Sequence, residues 1–344
     1  MTDDDFMRRC LALAAQYRGR TAPNPIVGCV IVRDGQILAE GVHRGPGTAH
    51  AEIDALAKLG LRAEGATLYC NLEPCNHHGR TPPCAPVVRD AGLARVVIGA
   101  MDPIASHAGG ASLLPNVSRA LEAECIAANR PFFTWARSKR PMFTLKAGIT
   151  LDGKIATVRG ESQWITGEAA RADVMRLRNE HDAVLVGIGT VLADDPKLTA
   201  RIEGGRDPVR IVLDSQLRTP PKAAIARAGT IIVCAKDAPA IREKRLVAKG
   251  VEVWRAKQHT IPVDRLIERH LHAILVEGGG EVHASLLKAG LADEIVLYVA
   301  PTIVGGPAKS WVGGKGVAKL ADAYGFVVDD ATMLGSDVRI RLHR

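Results

Sequence analysis

The sequence predicts two α/β domains joined by a short connection. Its 344 residues are many for one hydrophobic core and sufficient for two. In both halves, short apolar runs typical of strands alternate with segments of helical periodicity. Residues 105–118 are rich in Ala, Ser and Gly and show no period, which indicates a boundary. We therefore expect a first domain at 1–104, a linker region at 105–139 and a second domain at 140–344.

The first domain has the pattern of a layered α/β unit. Its expected elements are a helix at 3–18, strands at 27–33 and 36–42, a helix at 51–59, a strand at 67–69, a helix at 85–91 and a strand at 95–98. Asp34-Gly35 lies between the first two strands and is a typical hairpin turn. A short connecting helix is expected at 119–128, inside the linker region.

The second domain repeats strand and helix more regularly. Strands are expected at 142–147, 183–186, 209–213, 230–234, 251–254, 273–276, 294–300 and 338–342, with helices at 168–178, 262–269 and 282–288. This alternation predicts a mostly parallel sheet.

Composition excludes several classes of protein. Seven cysteines, an odd number in a long chain, argue against a disulfide framework. The start, Met1 to Asp5, lacks a basic leader segment and no apolar run could span a bilayer, so we expect a cytoplasmic protein without membrane contact. The net charge of +8 is scattered and aromatic residues make up only 4%, which favours phosphorylated small substrates over nucleic acid.

The first set of chemically informative residues is His50-Ala51-Glu52, followed by Pro74-Cys75 and Cys84. One His and two Cys supply three zinc ligands and leave a fourth position for water, whose pKa the metal lowers. Glu52 is not a ligand and can carry protons. This pattern is the signature of zinc deaminases acting on nucleobases, although eight residues separate the two cysteines here where the signature has two.

An alternative at this point is a closed structural zinc site. The eight inserted residues include His77 and His78, either of which could join Cys75 and Cys84 as a further ligand. Glu52 would then have no function. Both halves of the motif also precede helix-like segments, and helix N-termini favour thiolates.

A second set follows two predicted strands. Glu277-Gly278-Gly279-Gly280 lies between a strand and a helix, and Gly187-Ile188-Gly189-Thr190 follows another strand. Glycine turns at the carboxyl ends of strands are where open α/β sheets bind ligands, and a helix N-terminus favours phosphate. A tight strand-to-helix turn without a ligand is the alternative for a glycine run by itself.

Taken together, these motifs resemble one family. Residues 21–28 (TAPNPIVG), 50–52 (HAE) and 73–84 (EPCNHHGRTPPC) are similar to the deaminase half of the bifunctional riboflavin-biosynthesis deaminase/reductase. Residues 162–167 (SQWITG), 189–196 (GTVLADDP) and 276–280 (VEGGG) are similar to its reductase half. The resemblance covers nearly the whole chain.

The resemblance implies a fold, two activities and two cofactors. It implies a cytidine-deaminase-like α/β/α domain followed by a dihydrofolate-reductase-like α/β domain. The first would use Zn²⁺, one per chain, to deaminate 2,5-diamino-6-ribosylamino-4(3H)-pyrimidinone 5′-phosphate. The second would use NADPH to reduce the ribosyl chain to ribityl. A homo-oligomer formed through the reductase domain is also expected.

The resemblance also implies residue roles. In the deaminase, Glu52 is catalytic, the zinc ligands are His50, Cys75 and Cys84, and the substrate residues are Asn24, His77, Arg80 and Asp102. The cofactor residues are Gly148, Trp164, Thr190, Asp194, Ser215, Gly279, Gly280, Glu281, Val282, His283, Ala284 and Ser285. The reductase substrate residues are Ser162, Arg178, Leu198, Arg201 and Glu277, with the two arginines expected to clamp a phosphate.

Three further points stay open in the sequence. Asp214 ends a strand and by itself favours NADH, whereas Ser215 and Arg218 could receive the 2′-phosphate of NADPH. Ile104 stands where the family has Asn, and the 102–130 region is shorter, so an enzyme with only one active half is an alternative. A nucleic-acid deaminase with an accessory domain is another.

Overall fold

The computed structural model describes residues 1–257 and 260–344. These residues separate into two compact units, Met1–Arg140 and Pro141–Arg344.

The first unit contains five strands and five helices. The strands are β1 (Gly28–Arg33), β2 (Gln36–Val42), β3 (Thr67–Leu72), β4 (Arg95–Ala100) and β5 (Val117–Arg119). The helices are α1 (Asp3–Ala15), α2 (Ala51–Ala57), α3 (Cys84–Asp90), α4 (Glu122–Ala128) and α5 (Arg130–Ser138). The strands form one sheet in the order β2-β1-β3-β4-β5. β1 is antiparallel to β2 and β3, and β4 is parallel to β3 and β5.

A glycine on β2 fixes the position of α2. A Cβ atom at Gly41 would lie 2.0 Å from the carbonyl oxygen of Ala51, so only glycine lets the helix approach the strand this closely. His50 caps this helix at its N-terminus. The close packing therefore sets the position of a predicted metal ligand.

The segment expected to be a linker, 105–139, differs from that expectation. It supplies β5, α4 and α5 to the first unit. Cys125 is fully buried, and Phe132 and Phe133 belong to the same hydrophobic core as β1 and β3. The helix expected at 119–128 is present as α4, whereas β5 has only three residues and develops no period, so the sequence does not show that the segment belongs to the first unit. Burial of these apolar side chains holds the segment in place.

Within its described residues, 141–257 and 260–344, the second unit contains nine strands and five helices. The strands are β6 (Met142–Thr150), β7 (Ala183–Gly187), β8 (Val209–Leu213), β9 (Thr230–Ala235), β10 (Glu252–Ala256), β11 (Ala273–Val276), β12 (Glu294–Ala300), β13 (Val327–Leu334) and β14 (Asp337–His343). The helices are α6 (Glu168–Glu180), α7 (Ile188–Asp194), α8 (Ala240–Val247), α9 (Val263–Glu268) and α10 (Gly280–Lys288).

These strands form one sheet in the order β10-β9-β8-β7-β11-β6-β12-β14-β13. The first seven in this order are parallel to their neighbours, as the alternation of strands and helices predicts. β14 and β13 are antiparallel additions at one edge. The edge strand β13 is mostly exposed on both faces, and the sequence does not reveal it.

Candidate functional sites

The three predicted zinc ligands come together in the first unit. The Nδ1 atom of His50 lies 3.2 Å from Sγ of Cys84 and 3.5 Å from Sγ of Cys75. A tetrahedral zinc ion with bonds of about 2.0–2.3 Å holds its ligands roughly 3.3–3.8 Å apart, so the donor set fits the ion. Within residues 1–257 and 260–344, no fourth His, Cys, Asp or Glu joins the group. This arrangement favours the open site over the closed structural one.

Local structure prepares these ligands for a cation. Cys84 is the first residue of α3, and its backbone N–H points to Sγ of Cys75 at 3.4 Å. The pKa of the Cys75 thiol is lowered to about 4, mainly by a side-chain hydrogen bond from Cys84 and further by one with His50. The pKa of Cys84, the partner in that bond, is raised. The hydroxyl of Thr81 lies 3.1 Å from Nε2 of His50, which keeps Nδ1 directed at the sulfurs.

Glu52 lies beside this group in a protected position. The residue is 3% exposed, and burial raises the pKa of its carboxyl group to about 7. A carboxyl group with a pKa near neutrality can both accept and donate a proton. The geometry therefore suits the proton-carrying role predicted for Glu52.

All four predicted deaminase substrate residues line one cavity with the metal-ligand group. The cavity has a volume of about 260 Å³ and is lined by Asn24, His77, Arg80 and Asp102, together with His50, Cys75 and Glu52. Burial raises the pKa of Asp102 to about 6. The cavity also includes Ile104, which stands where the family has Asn, and His43, His107, Phe132 and Trp135, which the sequence did not single out.

The shortened region after Asp102 forms one wall of this cavity. The buried carboxylate of Glu73 accepts hydrogen bonds from the backbone N–H groups of Asp102, Gly109 and Ala111 at 3.0–3.1 Å. The ring of His107 stacks on His77, with 3.7 Å between the ring centroids. The region is thus fixed to the motif that carries Cys75. Glu73 belongs to that motif, but no sequence signal gave it this role.

The second unit contains a larger cavity at the carboxyl ends of its parallel strands. Its volume is about 690 Å³. The predicted cofactor residues Thr190, Asp194, Ser215, Gly279, Gly280, Glu281, Val282 and Ser285 line it, as does Ser162. Gly279 is the N-cap of α10, so backbone N–H groups of that helix are available to a phosphate. Open α/β sheets bind ligands at the carboxyl ends of their strands, so the cavity lies where the two glycine turns predicted a ligand site.

Other predicted cofactor residues lie elsewhere in the described part of the second unit. Trp164 is 70% exposed, with the guanidinium of Arg171 4.7 Å from its ring centroid. His283 is buried and its ring nitrogens lie 2.9 and 3.3 Å from the carbonyl oxygens of Trp311 and Val276. Gly148, Trp164, His283 and Ala284 are not among the residues that line the cavity. Their cofactor roles stay predictions.

The predicted substrate residues Arg178 and Glu277 form a buried ion pair. Arg178 donates from Nε and Nη2 to Glu277 at 2.6 and 2.9 Å, and from Nη1 to the carbonyl oxygen of Thr199 at 3.2 Å. Lys146 lies 3.4 Å from the same carboxylate. Burial would raise the pKa of Glu277, but the charges of Arg178 and Lys146 outweigh burial and lower the pKa to about 2.

This ion pair changes the expected phosphate clamp. Each guanidinium nitrogen of Arg178 already has a protein partner, so a phosphate would share these donors, whereas Arg201 is exposed. Leu198 is buried. Lys146 was not predicted, although it is the one charged residue in strand β6 and was a visible signal.

Asp214 uses one of its two carboxylate oxygens in hydrogen bonds within the protein. It is fully buried, and its Oδ2 accepts hydrogen bonds from the backbone N–H and hydroxyl of Thr219 at 2.8 and 2.9 Å. Asp214, Ser215 and Arg218 all line the cavity, and the Arg218 side chain is 56% exposed with its Nε 4.0 Å from Oδ1 of Asp214. A cation is therefore available where the sequence alone favoured an acid.

Comparison with known proteins matches each unit to a known domain family. Residues 1–100 match the cytidine and deoxycytidylate deaminase zinc-binding region, and residues 141–334 match the RibD C-terminal domain. The riboflavin biosynthesis protein RibD of Actinobacillus pleuropneumoniae is 41% identical, covering 98% of this chain and 94% of its own length. That of Escherichia coli is 40% identical and covers 99% of both chains. This chain belongs to the RibD family.

Solved structures of the RibD family share the fold over the whole chain. RibD of Acinetobacter baumannii is 35% identical, covers 99% of this chain and 98% of its own, and has a TM-score of 0.87. A deaminase/reductase from Thermotoga maritima, 34% identical, covers the same shares, also with a TM-score of 0.87. The predicted fold class, a cytidine-deaminase-like domain followed by a reductase domain, is confirmed.

The RibD family uses the two cofactors predicted from the sequence. The His50, Cys75 and Cys84 donor set fits zinc, and the second unit is the reductase domain, which uses NADPH. No helix within residues 1–257 and 260–344 combines the length and apolar character needed to cross a bilayer.

Proposed function

We propose that this protein catalyses two consecutive steps of riboflavin biosynthesis, one in each unit. The first is hydrolytic deamination of 2,5-diamino-6-ribosylamino-4(3H)-pyrimidinone 5′-phosphate. The second is NADPH-dependent reduction of the ribosyl chain to ribityl. The observation that carries the proposal is the zinc donor set beside buried Glu52, in a chain whose other unit matches the RibD C-terminal domain.

In the deaminase, water adds to the ring carbon that bears the 2-amino group, ammonia leaves and a carbonyl forms. Zinc held by His50, Cys75 and Cys84 would act as a Lewis acid that lowers the pKa of the attacking water. Glu52 accepts a proton from that water and delivers it to the departing amino group. Asn24 and Asp102 orient the ring, and the cavity wall shields the reaction from bulk water.

In the reductase, NADPH would supply the hydride. The N-terminus of α10 and the Gly187–Thr190 turn are available to its phosphates, and Arg218 and Ser215 to the phosphate that distinguishes it from NADH. Lys146, Arg178 and Glu277 form the charged cluster next to which the ribosyl phosphate is proposed to bind, with Arg201 as its exposed cation.

The proposal includes an oligomer formed through the second unit and a cytoplasmic location. Val327, Val328 and Met333 on the edge strand β13 are 58–63% exposed, and Leu320 nearby in sequence is 91% exposed. Exposed apolar groups at a sheet edge favour pairing with another copy. All seven cysteines are free thiols, which suits a reducing compartment.

Product analysis tests the proposal. Purified protein is incubated with the diaminopyrimidinone phosphate, with and without NADPH, and the products are identified. We expect ammonia and the ribosylaminouracil phosphate without NADPH, and the ribitylamino product with it. A nucleic-acid deaminase would instead deaminate a tRNA loop and would not bind NADPH; that outcome would overturn the proposal.

A further inference from the structure

His43 connects Asn24 to the backbone beside the metal-ligand group. Its Nδ1 atom lies 3.1 Å from the carbonyl oxygen of Ala49, and its Nε2 atom lies 2.9 Å from Nδ2 of Asn24. His43 is 2% exposed, and both His43 and Asn24 line the 260 Å³ cavity. Both ring nitrogens therefore have protein partners, so His43 is not a further zinc ligand although its ring packs edge-on against His50.

The partners of His43 determine where its proton lies. A carbonyl oxygen can only accept a hydrogen bond, so Nδ1 carries the proton that points to Ala49. In a neutral imidazole the other nitrogen, Nε2, is then an acceptor. Asn24 must donate from Nδ2, which turns its Oδ1 away from His43.

The backbone around Asn24 is held by other residues. Asn129 accepts a hydrogen bond from the N–H of Ile26 and donates to its carbonyl oxygen, at 2.8 and 2.9 Å. Asn71 accepts from the N–H of Gly28 at 2.7 Å. The backbone N–H of His43 also donates to the carbonyl oxygen of Val27 at 3.0 Å, so these main-chain contacts do not involve the His43 imidazole, whose contact with Asn24 is to the side-chain amide.

We propose that His43 is a positioning residue that fixes the Asn24 amide so that its Oδ1 accepts a hydrogen bond from an N–H group of the pyrimidine substrate. This inference rests on the proposed deaminase function. A diaminopyrimidinone offers several N–H donors on and around its ring. The opposite amide orientation would place an NH₂ group against such a donor, which leaves two donors unsatisfied.

The tautomer of His43 can be measured without any activity. In protein labelled with ¹⁵N-histidine, the His43 ring of the zinc-loaded enzyme at neutral pH should show a protonated Nδ1 and an unprotonated Nε2. The signal is assigned to His43 by its loss in His43→Phe. A proton on Nε2, or on both nitrogens, would overturn the inference.

A double-mutant cycle tests the route through Asn24. His43→Phe should lower kcat/KM for ammonia release on the order of 10- to 100-fold, the effect of one unsatisfied polar contact. It should add little to the loss caused by Asn24→Ala, because its effect passes through that amide. His78→Phe, at an exposed position outside the cavity lining, is the matched control.

The reductase activity and zinc content of every variant show that the protein is folded and loaded. Independent, multiplying losses from His43→Phe and Asn24→Ala would contradict the inference. If the unaltered protein released no ammonia, the proposed function would fail, while the ¹⁵N spectrum would still decide the tautomer of His43.

Discussion

Glu73 connects the metal-ligand motif to the shortened region after Asp102, so its carboxylate offers a sharp test of how that region is held. Its Oε1 accepts from the N–H groups of Gly109 and Ala111, both at 3.0 Å, and its Oε2 accepts from Asp102 at 3.1 Å. Glu73 is 3% exposed, so water cannot replace these partners. The perturbation is Glu73→Gln.

The magnitude follows from the three hydrogen bonds. A glutamine oxygen can keep the two bonds from Gly109 and Ala111, but its NH₂ group then faces the N–H of Asp102. One buried donor without a partner costs about 1–3 kcal/mol. Local opening of residues 102–111 should therefore become about 5- to 150-fold more frequent. Because Asp102 and His107 line the cavity, the KM for deamination should rise while reduction is unchanged.

Hydrogen exchange followed by mass spectrometry measures the first effect, and an ammonia-release assay measures the second. Glu64→Gln is the matched control, because this substitution removes the same charge from a side chain that is 70% exposed. Unchanged exchange in residues 102–111 together with an unchanged KM in Glu73→Gln would refute the reasoning.

The other predictions concern protons, cofactor choice and pH. Glu52→Gln should reduce ammonia release by about 10²–10⁴-fold, while zinc content and reduction persist; ammonia release at the original rate would contradict its role. Arg218→Ala should raise the Kd for NADPH more than that for NADH in fluorescence titrations, because only NADPH carries the 2′-phosphate; equal rises would exclude this contact. The pKa of Glu277 is lowered to about 2 in the folded protein, against about 4.3 in an unfolded chain, because Arg178 and Lys146 outweigh its burial. Its contribution of about 3 kcal/mol is therefore complete above pH about 5 and is lost as the pH falls toward 2. Denaturant unfolding between pH 6 and 3 should show this loss in the wild type and a weaker pH dependence in Glu277→Gln; identical slopes would show that the pair does not act this way.

The sequence alone determined the deaminase motif and most regular elements. The His50, Cys75 and Cys84 set could be predicted because each residue type has few alternative uses in that order, and the structure brings the three together. The hairpin around Asp34-Gly35 and the parallel strands of the second unit followed from local turn chemistry and apolar periodicity, which depend on neighbouring residues only.

Short elements required the tertiary structure. β5, with three residues, and the edge strand β13, with acidic residues at its centre, have no periodic signal of their own. β5 is defined by pairing with β4, and β13 by pairing with β14. Both strands therefore exist because of hydrogen bonding to a neighbouring strand, which a local sequence pattern does not show.

The walls of the sites also depended on contacts between distant residues. His107 is recruited by stacking on His77 and by the clamp of Glu73, and Asn129 reaches back 103 residues to hold Ile26. Residue type and spacing specify which chemistry is available, whereas packing decides which side chains have donors and acceptors left to use.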